Sequence, residues 1–348
     1  MGQILIILTT IKKTLNELLN SEFPSCLSHC EVVKYSSWFC CERMGEKQLM
    51  DNLNIHKKRI YIYVFVTLFL SVIVSIPMVL LKAGEADSIV GITSVVFMFL
   101  PLISTLITKR VTKDESKIPF KISIKDNLKY LAISAFLPGV CIVSGAVIYF
   151  VCFPNQLDLN MGYVRNLVNA MGQEVVIPTI TVPVLILIGI LLPLLAPFVF
   201  INHILAFGEE IGWRGYLLPL LMKVTDKRKA ILISGSLWGL AHAILVTYGV
   251  NYSGNYPGKP FSGIAMMIVF ATVVGSFLSY VTIKTESIIP ACIAHGAINA
   301  IREAPLFISK SSANALLGPK PSGIIGMSIF IIISILVMKE FEKKDKKE

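Results

Sequence analysis

Between Glu174 and Lys223 the only charged side chains are Glu209, Glu210 and Arg214, all within the segment AFGEEIGWRGYLLP. Ionisable groups embedded in so apolar a stretch are costly unless paired or wetted, which makes them functional candidates. Helical spacing separates their jobs. Glu210 and Arg214 stand at i and i+4, side by side on one face and suited to an ion pair. Glu209 is turned by about 100° and lies over Trp213 instead. Glu209 is therefore the carboxylate left for reaction, with Glu210 and Arg214 as its support, although that pair alone would also serve simply to fix helix packing.

The histidines sharpen this pattern. Beyond residue 56 there are only three, His203, His242 and His295. His242 lies in SGSLWGLAHAI, inside a stretch without charge from Ala230 to Gly258, and His295 lies in PACIAHGAINA with Asn299 at i+4. One histidine on an apolar helix is ordinarily a satisfied core residue. Two on separate apolar helices, with a diglutamate on a third, ask for a chemical reason. Gly235 and Gly239 form a small-xxx-small pattern that lets the His242 helix approach a neighbour closely. His203, nearer the helix edge, reads as structural or interfacial.

A carboxylate shielded from water can take a proton from a water molecule near neutral pH. A neutral imidazole can share that task or ligate a metal. An imidazole N–H and an Asn amide N–H one turn apart can donate to the oxyanion of a tetrahedral intermediate. Together these describe hydrolysis of an amide bond by activated water. No GxSxG nucleophile motif competes. Zinc is the one cofactor these residues suggest, since Glu209, His242 and His295 could supply three ligands. Against it, no HExxH occurs, and a ligated Glu209 could not act freely as a base.

Glu209-Glu210-x-x-x-Arg214, then Trp238-x-x-x-His242, then His295-x-x-x-Asn299, in that order on three successive apolar segments, resembles the CPBP family. That family comprises the type II CAAX prenyl proteases and the bacterial bacteriocin-processing or self-immunity membrane proteins. The resemblance covers roughly residues 177–305. It implies that Glu209 and His242 activate the attacking water, that His295 and Asn299 stabilise the oxyanion, and that Glu210 and Arg214 support the site. It also implies a membrane-associated peptide or lipidated protein as substrate, and the family is often labelled a metalloprotease.

Such a site needs helices to carry it within a bilayer. Of the 348 residues, 54% are hydrophobic and only 16% charged, and mean hydropathy is +0.71. A soluble domain carries about 25% charged residues. Disorder, coiled coil, collagen and a secreted disulfide scaffold are excluded, and an all-α transmembrane bundle in the cell membrane is expected. Runs long enough to cross about 30 Å of hydrocarbon recur near Ile60–Leu81, Ile89–Ile107, Tyr130–Phe153, Ile177–Phe200, Ala230–Tyr248, Ser262–Ile283, Ser287–Ile301 and Gly323–Met338. His203–Met222 is a further helix, interrupted by charge and dipping into the membrane.

The net charge of +10 does not point to nucleic acid, because Lys and Arg cluster between the apolar runs instead of forming one face. Assigned to alternate loops, they divide 21 to 6, which supports eight spans with both termini cytoplasmic. Glu209, shortly before the inside loop Lys223–Lys229, is then expected near the cytoplasmic face. The basic loop Lys109–Asn127 reads as a solvated connection.

The chain divides into an N-terminal extension (1–55), N-terminal transmembrane helices (56–176), the protease-like core (177–305), and a last span with a basic tail (306–348). Residues 1–43 read as an extension before a natural start at Met44. A zinc site from Cys26, Cys30, Cys40, Cys41 and His29 is conceivable, but the spacing matches no common finger. The function expected is an intramembrane endopeptidase. The alternatives are a non-catalytic self-immunity or peptide-binding membrane protein, and a proton-coupled transporter.

Overall fold

The computed structural model describes residues 38–80, 87–170, 172–173, 176–310 and 313–345. Residues 1–37, with Cys26, His29 and Cys30 of the N-terminal cluster, lie outside the described residues, while Cys40 and Cys41 fall at the start of the helix Trp38–Leu80. Among the described residues the regular elements are all helical, apart from an isolated bridge between Leu157 and Ser309.

Helix α1 (Trp38–Leu80) is followed by α2 (Asp87–Met98) and α3 (Leu100–Thr112). The expected span at Ile89–Ile107 thus carries a break at Phe99, yet it still forms one candidate crossing, Gly91–Thr112. Then come α4 (Ile124–Cys152), the short α5 (Gly162–Ala170) and α6 (Val182–Leu195). A 3₁₀ turn (Ala196–Phe198) joins α6 to α7 (Phe200–Gly212). The two arms, Val182–Phe198 and Phe200–Leu221, meet at a bend of 60°. The 3₁₀ turn at this bend contains Pro197, which has no N–H to continue an α-helical ladder. Helix α6 leaves Val182, Ile186, Leu187, Ile190 and Leu194 exposed, an apolar face suited to hydrocarbon. Every residue from Gly208 to Leu218 is buried, so the charged part of the second arm faces protein.

After a π-helical turn (Trp213–Leu217) and α8 (Leu218–Leu221), the chain continues through α9 (Lys227–Ala241) and α10 (Ala243–Thr247). The long α11 (Phe261–Thr285), α12 (Ile289–Ile301) and α13 (Ser328–Asp345) complete the described chain. Among the described residues, four helices are long and apolar enough to cross a membrane: Met50–Pro77, Gly91–Thr112, Ile124–Cys152 and Phe261–Thr285. The number becomes five if the bent pair is one span.

The difference from eight has a physical origin. At about 1.5 Å per residue, the 15 residues of α9 and the 13 of α12 fall short of about 30 Å of hydrocarbon. In α13 the second half carries Lys339, Glu340, Glu342, Lys343 and Asp345. These helices are held by protein contacts: α9 packs along α11, and α12 packs against α4 and α7.

The small residues of α9 permit that packing. A Cβ built at Gly235 would lie 2.6 Å from Thr272 Cα, and one at Gly239 would lie 2.5 Å from Ile268 Cα. The backbones of α9 and α11 therefore meet directly, as the glycine spacing suggests.

The loop from 113 to 123 is more than a solvated connection, which corrects the sequence expectation. Pro119 O accepts the backbone N–H of Ile288 at 2.9 Å, and Phe120 stacks on Phe207 with centroids 5.5 Å apart. Ile118 packs on a small cluster of Ile211, Ile288 and Cys292. Asp114 is buried; it accepts from Tyr216 Oη at 3.0 Å and from the Ser116 N–H at 3.0 Å, with Arg59 Nη1 3.4 Å away. Burial alone would raise its carboxyl, but the Ser116 and Tyr216 hydrogen bonds and the Arg59 charge outweigh it and hold the group below the usual carboxylate range. Acidic and aromatic residues inside a basic stretch are the signal that this loop folds inward.

Candidate active site

Glu209 and Glu210 sit at the end of α7, where the helix widens into the π turn. Such widenings occur frequently at functional sites. Glu209 is 2% exposed and Glu210 0%. Glu209 Oε2 accepts hydrogen bonds from Trp213 Nε1 at 3.3 Å and from Trp238 Nε1 at 2.5 Å. Trp213, which the helical spacing sets beside Glu209 at i+4, is thus also a hydrogen-bond donor to it. Two indoles engage one oxygen, while Oε1 has no hydrogen bond among the described residues and Glu209 lines a cleft.

Glu210 makes the expected ion pair and one more bond. Its Oε1 accepts from Arg214 Nη1 at 2.9 Å and from His295 Nδ1 at 2.8 Å. Arg214 also lies over the Trp238 ring, 4.5 Å from its centroid. A carboxylate can only accept, so His295 Nδ1 carries the proton. Glu210 thus ties α7 to α12 and fixes the orientation of the His295 ring, a second job that the i, i+4 pattern does not show.

His242 occupies the break between α9 and α10. Its Nδ1 pairs with the Trp238 carbonyl at 2.9 Å; the carbonyl accepts, so Nδ1 donates and Nε2 keeps its lone pair. Phe97 from α2 packs on the ring with centroids 4.8 Å apart. His295 stands against Trp238, with centroids 5.2 Å apart. Trp238 therefore touches Glu209, Arg214, His242 and His295 together. It occupies the position four residues before His242 noted in the sequence motif, but its role as donor to Glu209 is a finding of the tertiary structure.

Glu209, His242, His295 and Asn299 line one open cleft. Glu210 and Arg214 lie behind it, fully buried. The six residues singled out from sequence thus come together. Ser94, Phe97, Met98, Asn251 and Arg302 also line the cleft, and sequence reasoning missed them. Three of these come from α2, well before the motifs. Arg302 alone left a readable signal, as a charge at i+7 from His295.

His203 stands apart from the chemistry. Its Nε2 donates to the Pro197 carbonyl at 2.7 Å across the bend. Its ring fills the space above Gly296, where a Cβ would lie 1.8 Å from Nδ1. The structural reading of His203 fits these contacts.

The zinc reading does not fit. Among the described residues no group of three His, Cys, Asp or Glu side chains could hold a metal ion. Glu209, His242 and His295 share a cleft without drawing together into such a group. Twelve helical residues separate Glu209 from Leu221, about 18 Å of rise.

Residues 178–301, just over a third of the chain, match the family model described as type II CAAX prenyl endopeptidase Rce1-like. No curated protein matches the chain. The matched range holds the diglutamate, both cleft histidines and Asn299, while Ser94, Phe97, Met98 and Arg302 of the cleft lie outside. Residues 178–301 thus carry an Rce1-like type II CAAX prenyl endopeptidase domain, matching the CPBP/CAAX protease family.

Proposed function

We propose that this chain is an intramembrane endopeptidase that hydrolyses a peptide bond in a membrane-associated or lipidated substrate, with Glu209 and His242 activating water. The observation that carries the reading is the division of labour at Glu209: one carboxylate oxygen is held by two indole donors, and the other is left for the cleft. A water between Glu209 and His242 Nε2 gives its proton to the carboxylate while its oxygen attacks the scissile carbonyl carbon. The carbonyl π electrons move to oxygen, forming a tetrahedral oxyanion. Asn299 donates to that oxyanion through its amide N–H. For His295 to donate as well, its ring must be doubly protonated, with Nδ1–H held by Glu210 and Nε2–H offered to the cleft. Collapse breaks the C–N bond, and the proton held at Glu209 passes to the departing amine. No step requires a covalent enzyme intermediate.

The family description favours a prenylated peptide as the substrate class. The same proposal includes a multi-pass protein of the cell membrane with eight crossings and both termini cytoplasmic. The 21 to 6 division of Lys and Arg between alternate loops supports it. The test uses full-length protein in lipid nanodiscs and quenched fluorogenic S-farnesyl peptides. Glu209→Gln and His242→Ala should each abolish cleavage while the protein level is kept. Undiminished cleavage by purified Glu209→Gln would end the assignment, and binding without turnover by the wild type would favour a peptide-binding membrane protein.

A further inference from the structure

Tyr63 of α1 is fully enclosed, 0% exposed, on a helix that lies outside the matched range 178–301. Its ring is held by the two aromatic side chains of the π turn that follows Glu209. Trp213 meets it edge-on, with centroids 5.8 Å apart and an interplanar angle of 87°. Tyr216 is tilted against it at 5.7 Å. The Tyr63 hydroxyl reaches the helix backbone at Gly212, where a built Cβ would lie 2.4 Å from Oη. The glycine thus lets α1 press directly on the turn that carries Trp213.

The far side of the turn is anchored as well. Tyr216 Oη donates to Asp114 Oδ2 at 3.0 Å, and Asp114 Oδ1 lies 3.4 Å from Nη1 of Arg59, one turn before Tyr63 on α1. Helix α1 therefore grips the π turn at two points, one aromatic at Tyr63 and one polar through Asp114. On the side of the cleft, Trp213 Nε1 donates to Glu209 Oε2 at 3.3 Å, the longer of the two indole bonds to that oxygen. It lies just beyond the usual N–H···O range of about 2.7–3.2 Å, so it tolerates little rotation of the indole. Edge-on aromatic pairs are directional, and the Tyr63 ring accordingly sets the plane of Trp213.

We infer that Tyr63 is a positioning residue for the reaction: its ring holds the Trp213 indole in the orientation that donates to Glu209. A helix outside the protease-like domain thereby completes the active site. Tyr63 touches no reacting atom and acts only through Trp213. With the indole displaced, Glu209 Oε2 keeps a single donor, Trp238, and the carboxylate is free to turn about that bond, which moves Oε1 away from the water it serves. Neither Tyr63 nor Trp213 lines the cleft, so the loss falls on kcat and leaves KM. The inference rests on the protease reading for the role of Glu209, but the contact itself is read without turnover.

The test uses full-length protein in nanodiscs and a quenched S-farnesyl peptide, with kcat referred to folded protein. Tyr63→Leu removes the ring and should lower kcat by about tenfold at unchanged KM, the lower end for a hydrogen bond to a charged group. Tyr63→Met, which fills the space flexibly, takes its place if the leucine variant does not fold. Tyr63→Phe keeps the ring and should keep kcat. Trp213→Phe should lower kcat by the same factor as Tyr63→Leu, and the two together should cost no more than either alone. A wild-type kcat without the Tyr63 ring, a loss confined to KM, or losses that multiply in the double variant overturns the inference. The chain's three tryptophans, Trp38, Trp213 and Trp238, allow a second readout by fluorine NMR on fluorotryptophan-labelled protein, with signals assigned by Trp→Phe substitution. The Trp213 resonance should move in Glu209→Gln and in Tyr63→Leu and hold its place in Tyr63→Phe. A Trp213 resonance indifferent to Tyr63→Leu overturns the inference. Movement in a wild-type protein background that cleaves nothing refutes the protease and leaves the hold of Tyr63 on Trp213 standing.

Discussion

Gly239→Ala should disable this site without touching any group that does chemistry. The new Cβ would lie 2.5 Å from Ile268 Cα and 2.8 Å from Met267 O, whereas ordinary contact begins near 3.4 Å. Both obstacles are backbone atoms, so no rotamer change relieves them, and α9 must retreat from α11 by about 1 Å. Overpacking of this kind costs about 1–3 kcal/mol, against a gain of at most about 1 kcal/mol in helix propensity. The displaced helix carries Trp238, whose indole is 2.5 Å from Glu209, and leads directly into His242. A misplacement of about 1 Å in a catalytic constellation costs about a hundredfold in rate. The assay is kcat for a quenched S-farnesyl peptide with full-length protein in nanodiscs, together with thermal unfolding. Gly91→Ala is the control, since nothing lies within 4 Å of its built Cβ. If Gly239→Ala kept wild-type kcat and an unchanged melting temperature, the claim that direct α9–α11 backbone contact positions the site would be refuted.

Three further outcomes follow from the same contacts. Trp238→Phe keeps a ring for Arg214 but removes the donor to Glu209 Oε2, and should lower kcat/KM by about tenfold to a hundredfold; an unchanged value would remove the indole from the mechanism. Glu210→Gln leaves Arg214 buried without its counter-charge and should cost about 3–5 kcal/mol. Glu210→Gln/Arg214→Met should recover part of that stability in thermal unfolding, and no recovery would argue against the ion pair as the cause. Asp114, whose carboxyl is held below its ordinary value, contributes stability that is present above about pH 4 and lost as pH falls through its folded value. Asp114→Asn should therefore be less stable than the wild type at neutral pH, and the gap should close on acidification.

The legibility of the site in sequence follows from how rare its residues are in their surroundings. Three charges in an apolar stretch and two histidines on apolar helices are visible because hydrocarbon tolerates such groups only with a reason. The i, i+4 rule supplied Glu210–Arg214 and put Trp213 beside Glu209, since both partners share one helix. Partners on other helices followed no such rule. The Glu210–His295 bond spans 85 residues, and Phe97 reaches His242 from α2. Hydropathy likewise found the apolar runs but overstated how many qualify as crossings by themselves. It counts apolar residues without distinguishing burial in lipid from burial in protein, and α9 and α12 are short helices buried in protein.

Composition and spacing by themselves determined that the chain is a helical membrane protein and which six residues gather at its site. Local rules of charge and helical period are enough for that. Only the tertiary structure decided that Glu210 orients His295, that Trp238 holds one oxygen of Glu209, that the loop after α3 folds inward, and that Arg302 shares the cleft of Glu209 and His242. Each of these depends on which helix faces which, and that is set by close packing over long sequence separations.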